Sequence, residues 1–223
     1  MSRISRLGFV ACVLTATHPA LGTAQDTLAH PSPEERASAP PSAAAKQRVT
    51  RLAAQRAQME SSFAARRAVF RRYARLGPSD SPCGTPTDSL VRVTSNAWPD
   101  ATVVSYAFAE DSTGRVLHAV ETPTSCSGDW VISYSYFFDA AGRTTVFERY
   151  SGFFNGCDFG VAHEISTYYY DTSGTLLTKD YALTDSAHKA RPPVQCQFTY
   201  HQPYAVYSSW RAYARGAKVP ARP

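Results

Sequence analysis

The chain has 223 residues, 43% of them apolar and 18% charged, with a formal net charge of +5. That length suits one globular domain with an appendage. Its 13 Tyr, 11 Phe and 3 Trp exclude wholesale disorder, a collagen-like repeat and a bare coiled coil.

The first residues, MSRISR, carry two arginines ahead of the short apolar stretch LGFVACVLTA and the small-residue run ALGTA. This order of features predicts a signal peptide over 1–24, cleaved after Ala24, and a secreted or periplasmic protein of bacterial type. The apolar stretch falls short of the roughly 20 residues that cross a bilayer, so no transmembrane segment is expected. Residues 25–43 hold four prolines and almost no large apolar side chain, which predicts a disordered Pro/Ala-rich tether.

From residue 44 to 77 the sequence is rich in Ala and Arg and free of proline, and Gly77-Pro78 stands as a stop signal. A basic amphipathic helix is expected there. Val49, Leu52, Met59, Phe63, Phe70 and Tyr73 form its apolar stripe, with Arg56 and Arg66 at the two missing places. Docking on the helix's own domain is favoured over weak self-association. At about 1.5 Å per residue such a helix outreaches ordinary strands, so Phe63, Phe70 and Tyr73 are expected to dock while Val49 and Leu52 stay largely exposed.

Residues 78–216 read as a disulfide-stabilised antiparallel β domain, and 217–223 as a flexible tail. Three segments, starting at Tyr106, Tyr134 and Ser166, share the order aromatic strand, Asp-x-x-Gly, second strand. Asp111, Asp139 and Asp171 can each open a turn by bonding nearby backbone. Gly114, Gly142 and Gly174, three places on, accept the left-handed conformation that closes it. Three hairpins in succession make a meander. At these points the chain resembles the tyrosine-aspartate (YD, Rhs-type) β-hairpin repeats, whose unit runs Tyr, one residue, Tyr-Asp, two residues, Gly-Arg. Tyr170 matches the second tyrosine, and Arg115 and Arg143 follow their glycines. The resemblance implies hairpin geometry over about 45 residues and carries no shell function.

In the second hairpin Trp130, Ile132, Tyr134, Tyr136 and Phe138 fall on one face, and the long helix is the expected cover. The fold class expected is therefore α+β: an antiparallel β-meander of three Asp-x-x-Gly hairpins packed against a long N-terminal amphipathic helix. A short terminal helix is favoured after Pro203, ending at Gly216.

Removing the signal segment leaves Cys83, Cys126, Cys157 and Cys196, an even set for an oxidising compartment. Of three connectivities, Cys83–Cys126 with Cys157–Cys196 leads, because all four cysteines lie away from the Asp-x-x-Gly turns. Their spacing lacks C-x-x-C pairs, so zinc is not expected.

Charge is divided unevenly. Residues 44–77 hold nine Lys or Arg against one Glu, while 78–200 hold seven basic against fourteen acidic residues. Arg67, Arg71, Arg72 and Arg75 concentrate the positive end and are the candidate contact for an anionic envelope surface or a protein partner. No nucleic-acid signature is present.

No catalytic motif, metal site or cofactor loop is legible. The best catalytic cluster that can be assembled is Asp158, His163 and Glu164. Trp130, Tyr168 and Tyr170 are the candidate aromatic platform for glycans or peptides, weighed against a plain core role. The functional expectation is an exported, non-enzymatic binding or interaction module. The alternatives are a small secreted hydrolase using carboxylate acid and base, and a secreted inhibitor.

Overall fold

Strands in this chain are set by side chains that alternate between two apolar faces, and both faces find a cover. The computed structural model describes residues 27–28, 42–64, 69–78, 83–95, 97–192, 196 and 204–221. In chain order the elements are β1 (Thr27–Leu28), α1 (Ala43–Ala64), β2 (Val69–Leu76), β3 (Leu90–Arg92), β4 (Thr102–Glu110), β5 (Val116–Pro123), β6 (Trp130–Phe138), β7 (Thr144–Cys157), β8 (Gly160–Tyr170), β9 (Leu176–Asp185), β10 (Val206–Tyr207) and α2 (Trp210–Gly216). One antiparallel sheet of eight strands has the order β3-β2-β4-β5-β6-β7-β8-β9, and β1 pairs with β10 apart from it.

This overturns the expected fold class. The protein is mainly β, and the long N-terminal helix over 44–77 is absent: α1 ends at Ala64 and residues 69–76 are a strand. The sequence VFRRYARL has no helix breaker, so propensity favours helix. Tertiary pairing overrides it, because β2 bonds to both β3 and β4. It also places Tyr73 against Phe108 with ring centroids 5.8 Å apart. Phe70, expected to dock, points to the other face and is 45% exposed.

The three Asp-x-x-Gly segments form the hairpins β4–β5, β6–β7 and β8–β9. In each, the Asp amide donates to the carbonyl four places on and the Gly amide donates back to the Asp carbonyl. The Asp Oδ1 accepts two backbone amides across the turn. The glycines sit at φ +78°, +74° and +84°, where a Cβ is strained. A register shift precedes each turn, the bulge that such turns carry.

The inner face of the sheet carries Tyr106, Phe108, Ile132, Tyr134, Tyr136, Phe138, Phe147, Tyr168 and Tyr170 in one core cluster. Its cover is the C-terminal segment and not the N-terminal helix. Ser209 caps α2 by accepting the Ala212 amide at 3.2 Å. Trp210 then meets Phe108 edge-on at 5.0 Å, and Tyr213 lies 4.8 Å from Tyr136. Residues 217–221, expected as a flexible tail, are packed: Val219 is buried and the Ala221 carbonyl accepts the Trp210 indole at 3.0 Å.

The outer face takes α1. Leu52, expected to be exposed, is buried against Phe137, Val146 and Tyr169, and Val49 packs beside it. Arg56, at a gap in the apolar stripe, is the polar anchor: it pairs with Glu148 at 2.6 Å and Glu60 at 2.9 Å. It also lies 5.8 Å over the Phe137 ring. Phe63 and Arg66 lie outside the described side chains.

Under α1, His118 stacks on Phe137 at 4.4 Å. Burial, with the Arg56 charge second, pulls its imidazole down to about 4. Above about pH 6.5 native and unfolded chains are both neutral at this residue. Between about 6.5 and 4 only the unfolded chain takes the proton, so stability falls as pH drops through that window, by at most about 3 kcal/mol. Melting temperature measured from pH 8 to 4 is expected to fall less steeply below pH 6.5 for His118→Phe, which keeps the ring stack.

Candidate ligand pocket

The residues singled out in the sequence are dispersed by the fold. Asp158 lies exposed in the turn between β7 and β8, while His163 and Glu164 are successive residues of β8 and take opposite faces. Glu164 is buried and paired with Arg149 at 2.8 Å. His163 accepts or donates at Nδ1 with the Tyr150 hydroxyl, 2.7 Å away. No catalytic cluster is formed from these three.

Tyr168 and Tyr170 are fully buried, and burial drives both phenols far above their usual range. Trp130 is half-buried at the edge of the same core. These rings are core and offer no stacking platform.

The arginine cluster is divided in the same way. Arg71 is buried in an ion pair with Glu110. Arg72 donates to the Ser95 carbonyl and lies 5.3 Å over Trp98. Arg75 is buried and donates from Nη2 to the carbonyls of Ala217 at 2.7 Å and Lys218 at 3.1 Å. Arg67 lies outside the described residues. What reads as one basic helix end is a strand whose arginines serve internal partners.

Cys157 and Cys196 are bridged, joining the end of β7 to the chain after β9. Cys83 and Cys126, expected as the second bridge, are not joined: both are exposed, and a thiol–thiol hydrogen bond between them holds the Cys126 thiol above its ordinary range.

A concavity of about 450 Å³ opens between the inner face of the sheet and the C-terminal segment. Five tyrosines line it: Tyr106 from β4, Tyr134 and Tyr136 from β6, and Tyr204 and Tyr207 from the segment entering β10. They are there because inward positions on neighbouring strands are aromatic, and because the Tyr136 hydroxyl ties the Ala205 carbonyl across the face at 2.6 Å. Tyr134 and Tyr204 stack at 5.5 Å.

Among these rings stands one carboxylate. Glu121 of β5 occupies an inward position opposite Tyr106. The Tyr213 hydroxyl donates to its Oε2 at 3.2 Å, and no ion pair engages it among the described residues. Burial raises its pKa, while the Tyr213 bond and the Arg75 charge work against that rise. Arg75 also lines the pocket, where it donates to the carbonyls of Ala217, Lys218 and Thr87 and lies 6.0 Å over the Tyr106 ring. At the rim Lys218 and Asp88 pair at 2.8 Å, both well exposed, so the rim pair contributes little energy.

Volume and lining fit a small-molecule seat: tyrosine and aliphatic walls, with charged and polar groups that fix orientation. Among the described residues no three His, Cys, Asp or Glu side chains gather to hold a metal ion, and no helix is long and apolar enough to cross a membrane. Comparison with protein-family models, with curated proteins and with solved structures finds no match for this chain.

Proposed function

We propose that this protein is an exported, non-enzymatic binding module, and that its pocket takes a compact ligand bearing a cationic amine. The observation that carries the reading is Glu121, a half-buried carboxylate with no cationic partner bonded to it, set among tyrosine rings. Aromatic faces attract organic cations, more strongly where water is excluded, and a buried carboxylate adds a charge-assisted contact. Export is supported by the arginine-led apolar N-terminus and by the Cys157–Cys196 disulfide.

The test compares choline with its uncharged isostere 3,3-dimethylbutan-1-ol by calorimetry. Choline is expected to bind and the alcohol to bind at least tenfold more weakly. Glu121→Gln should weaken choline binding tenfold or more while leaving the urea midpoint close to wild type. Because the carboxylate must be ionised to attract the cation, binding should be full at high pH. It should be lost as pH falls through the elevated Glu121 pKa, above the ordinary carboxylate range. Equal affinity for the two probes would reject the reading.

A second reading has one observation in its favour. The pocket holds two carboxyl groups pushed in opposite directions, Glu121 upward by burial and Asp88 downward chiefly by its hydrogen bond from Lys218. Such divergence marks acid and base in hydrolases. Release of nitrophenol from nitrophenyl glycosides, abolished by Glu121→Gln, would favour that activity.

A further inference from the structure

The register of the sheet brings two cysteine-bearing loops together. Leu76, the last residue of β2, pairs with Thr102, the first of β4. The Leu76 carbonyl accepts the Thr87 amide at 3.0 Å and the Thr87 hydroxyl at 2.9 Å, which ties down the connection from β2 to β3. Beside it the Thr102 carbonyl accepts the Thr124 hydroxyl at 2.7 Å and the Val103 carbonyl accepts the Thr124 amide at 2.8 Å, which ties down the connection from β5 to β6. Cys83 precedes the first tie and Cys126 follows the second. Two loops distant in sequence therefore meet at one end of the sheet, with a cysteine on each.

The thiols face one another. Cys83 and Cys126 share a hydrogen bond, and the Gly84 amide also bonds the Cys126 sulfur, a contact that favours its thiolate. Both residues are exposed, so a small disulfide in solution reaches them. Cys157 and Cys196 differ on both counts, being already joined and half-buried. Thiol–disulfide exchange needs an accessible attacking sulfur and a second sulfur within reach to resolve the mixed disulfide, and the exposed pair supplies both.

We propose that Cys83 and Cys126 are a redox-active pair that exchanges with low-molecular-weight disulfides such as oxidised glutathione, in place of the second structural bridge that the cysteine count suggests. The thiolate of one cysteine attacks a glutathione sulfur, the glutathione disulfide bond breaks, and one glutathione leaves as thiolate. The second protein thiol gives up its proton and attacks the protein sulfur of the mixed disulfide, which forms the Cys83–Cys126 bond and releases the second glutathione. Two electrons pass from the protein sulfurs to the glutathione sulfurs, and the two protons end on the released thiols. Pro86, Thr87 and Asp88 follow Cys83 in the same loop and line the tyrosine pocket, so the new bond fastens one wall of that pocket to the β5–β6 connection. The exchange chemistry does not depend on the choline reading.

The test equilibrates the full chain in glutathione buffers of rising oxidised-to-reduced ratio, quenches by alkylation and maps each cysteine by mass spectrometry, for wild type, Cys83→Ser and Cys126→Ser. Wild type is expected to gain a Cys83–Cys126 crosslink that reverses as the ratio falls. The crosslink should open at a reduced-glutathione concentration at least tenfold below that which opens Cys157–Cys196, because exposed disulfides are the labile ones. Each single variant should stop at a glutathione adduct on the remaining cysteine, since the resolving thiol is gone. Glutathione adducts on both cysteines of wild type without the crosslink, crosslinks of either to Cys157 or Cys196, or opening of both disulfides at the same concentration would overturn the proposal.

Discussion

Glu164→Gln is expected to lower the unfolding free energy by about 3–5 kcal/mol, read as a fall in the urea midpoint at unchanged slope. Arg149 and Glu164 are each only 1% exposed and pair at 2.8 Å. The Tyr181 hydroxyl adds a bond to Glu164 Oε1 at 3.2 Å. Removing one charge strands the other in a medium that solvates it poorly. Replacing both, as in Arg149→Met/Glu164→Leu, is expected to recover most of the loss, because the desolvation cost of the pair nearly matches its attraction. Arg149 also lies 5.6 Å over Tyr204, so the single variant should loosen one wall of the tyrosine pocket and weaken choline binding as well. A Glu164→Gln protein with the wild-type midpoint would show that the pair is dispensable.

The second large effect is expected at Phe108→Ala, about 3–5 kcal/mol. Phe108 is fully buried, touches Trp210 edge-on at 5.0 Å and Tyr213 at 6.3 Å, and leaves a cavity at the junction of sheet and α2 when truncated. Phe70→Ala, which the expected helix would make comparably costly, should cost under about 1 kcal/mol, since the side chain is 45% exposed on β2. Denaturant titrations of the two variants side by side give the ranking, and the reverse order would contradict the strand assignment of residues 69–76.

The hairpins were legible in the sequence because each is a local event: an Asp that bonds its own turn and a Gly that accepts positive φ, flanked by alternating aromatics. The inward face of β6 was equally plain from the spacing of Trp130, Ile132, Tyr134, Tyr136 and Phe138. The short terminal helix and its stop at Gly216 followed from spacing as well, but it starts at Trp210 and not after Pro203, because Val206 and Tyr207 pair as a strand with Thr27 and Leu28. What the sequence concealed is non-local. Residues 69–76 read as helix because their strand character comes from the two neighbours they bond, both distant in sequence. The turn from Asp185 to Lys189, which repeats the backbone bonding of the three Asp-x-x-Gly turns, escaped notice because His188 stands where they hold glycine.

The tyrosine pocket was missed for a related reason. Its walls come from β4, β5, β6, the segment at 204–207 and the chain after α2, and no local pattern joins them. A signal did exist. Glu121 follows Ala119 at a position whose alternation points inward, and a charged residue on the buried side of a strand is a conspicuous exception.

The sheet order has a consequence for how the chain is made. All but one of its neighbouring strands are also consecutive in sequence, so each hairpin can close soon after both of its strands are synthesised. The inner aromatic face is different, because its lid, Trp210 to Val219, follows in sequence every sheet strand that it covers. Until those residues arrive, Phe108, Tyr136 and Phe138 lack their cover. A chain truncated before residue 204 would therefore present an oily, nearly complete sheet, a form that invites chaperone capture or aggregation and that residues 204–219 cover.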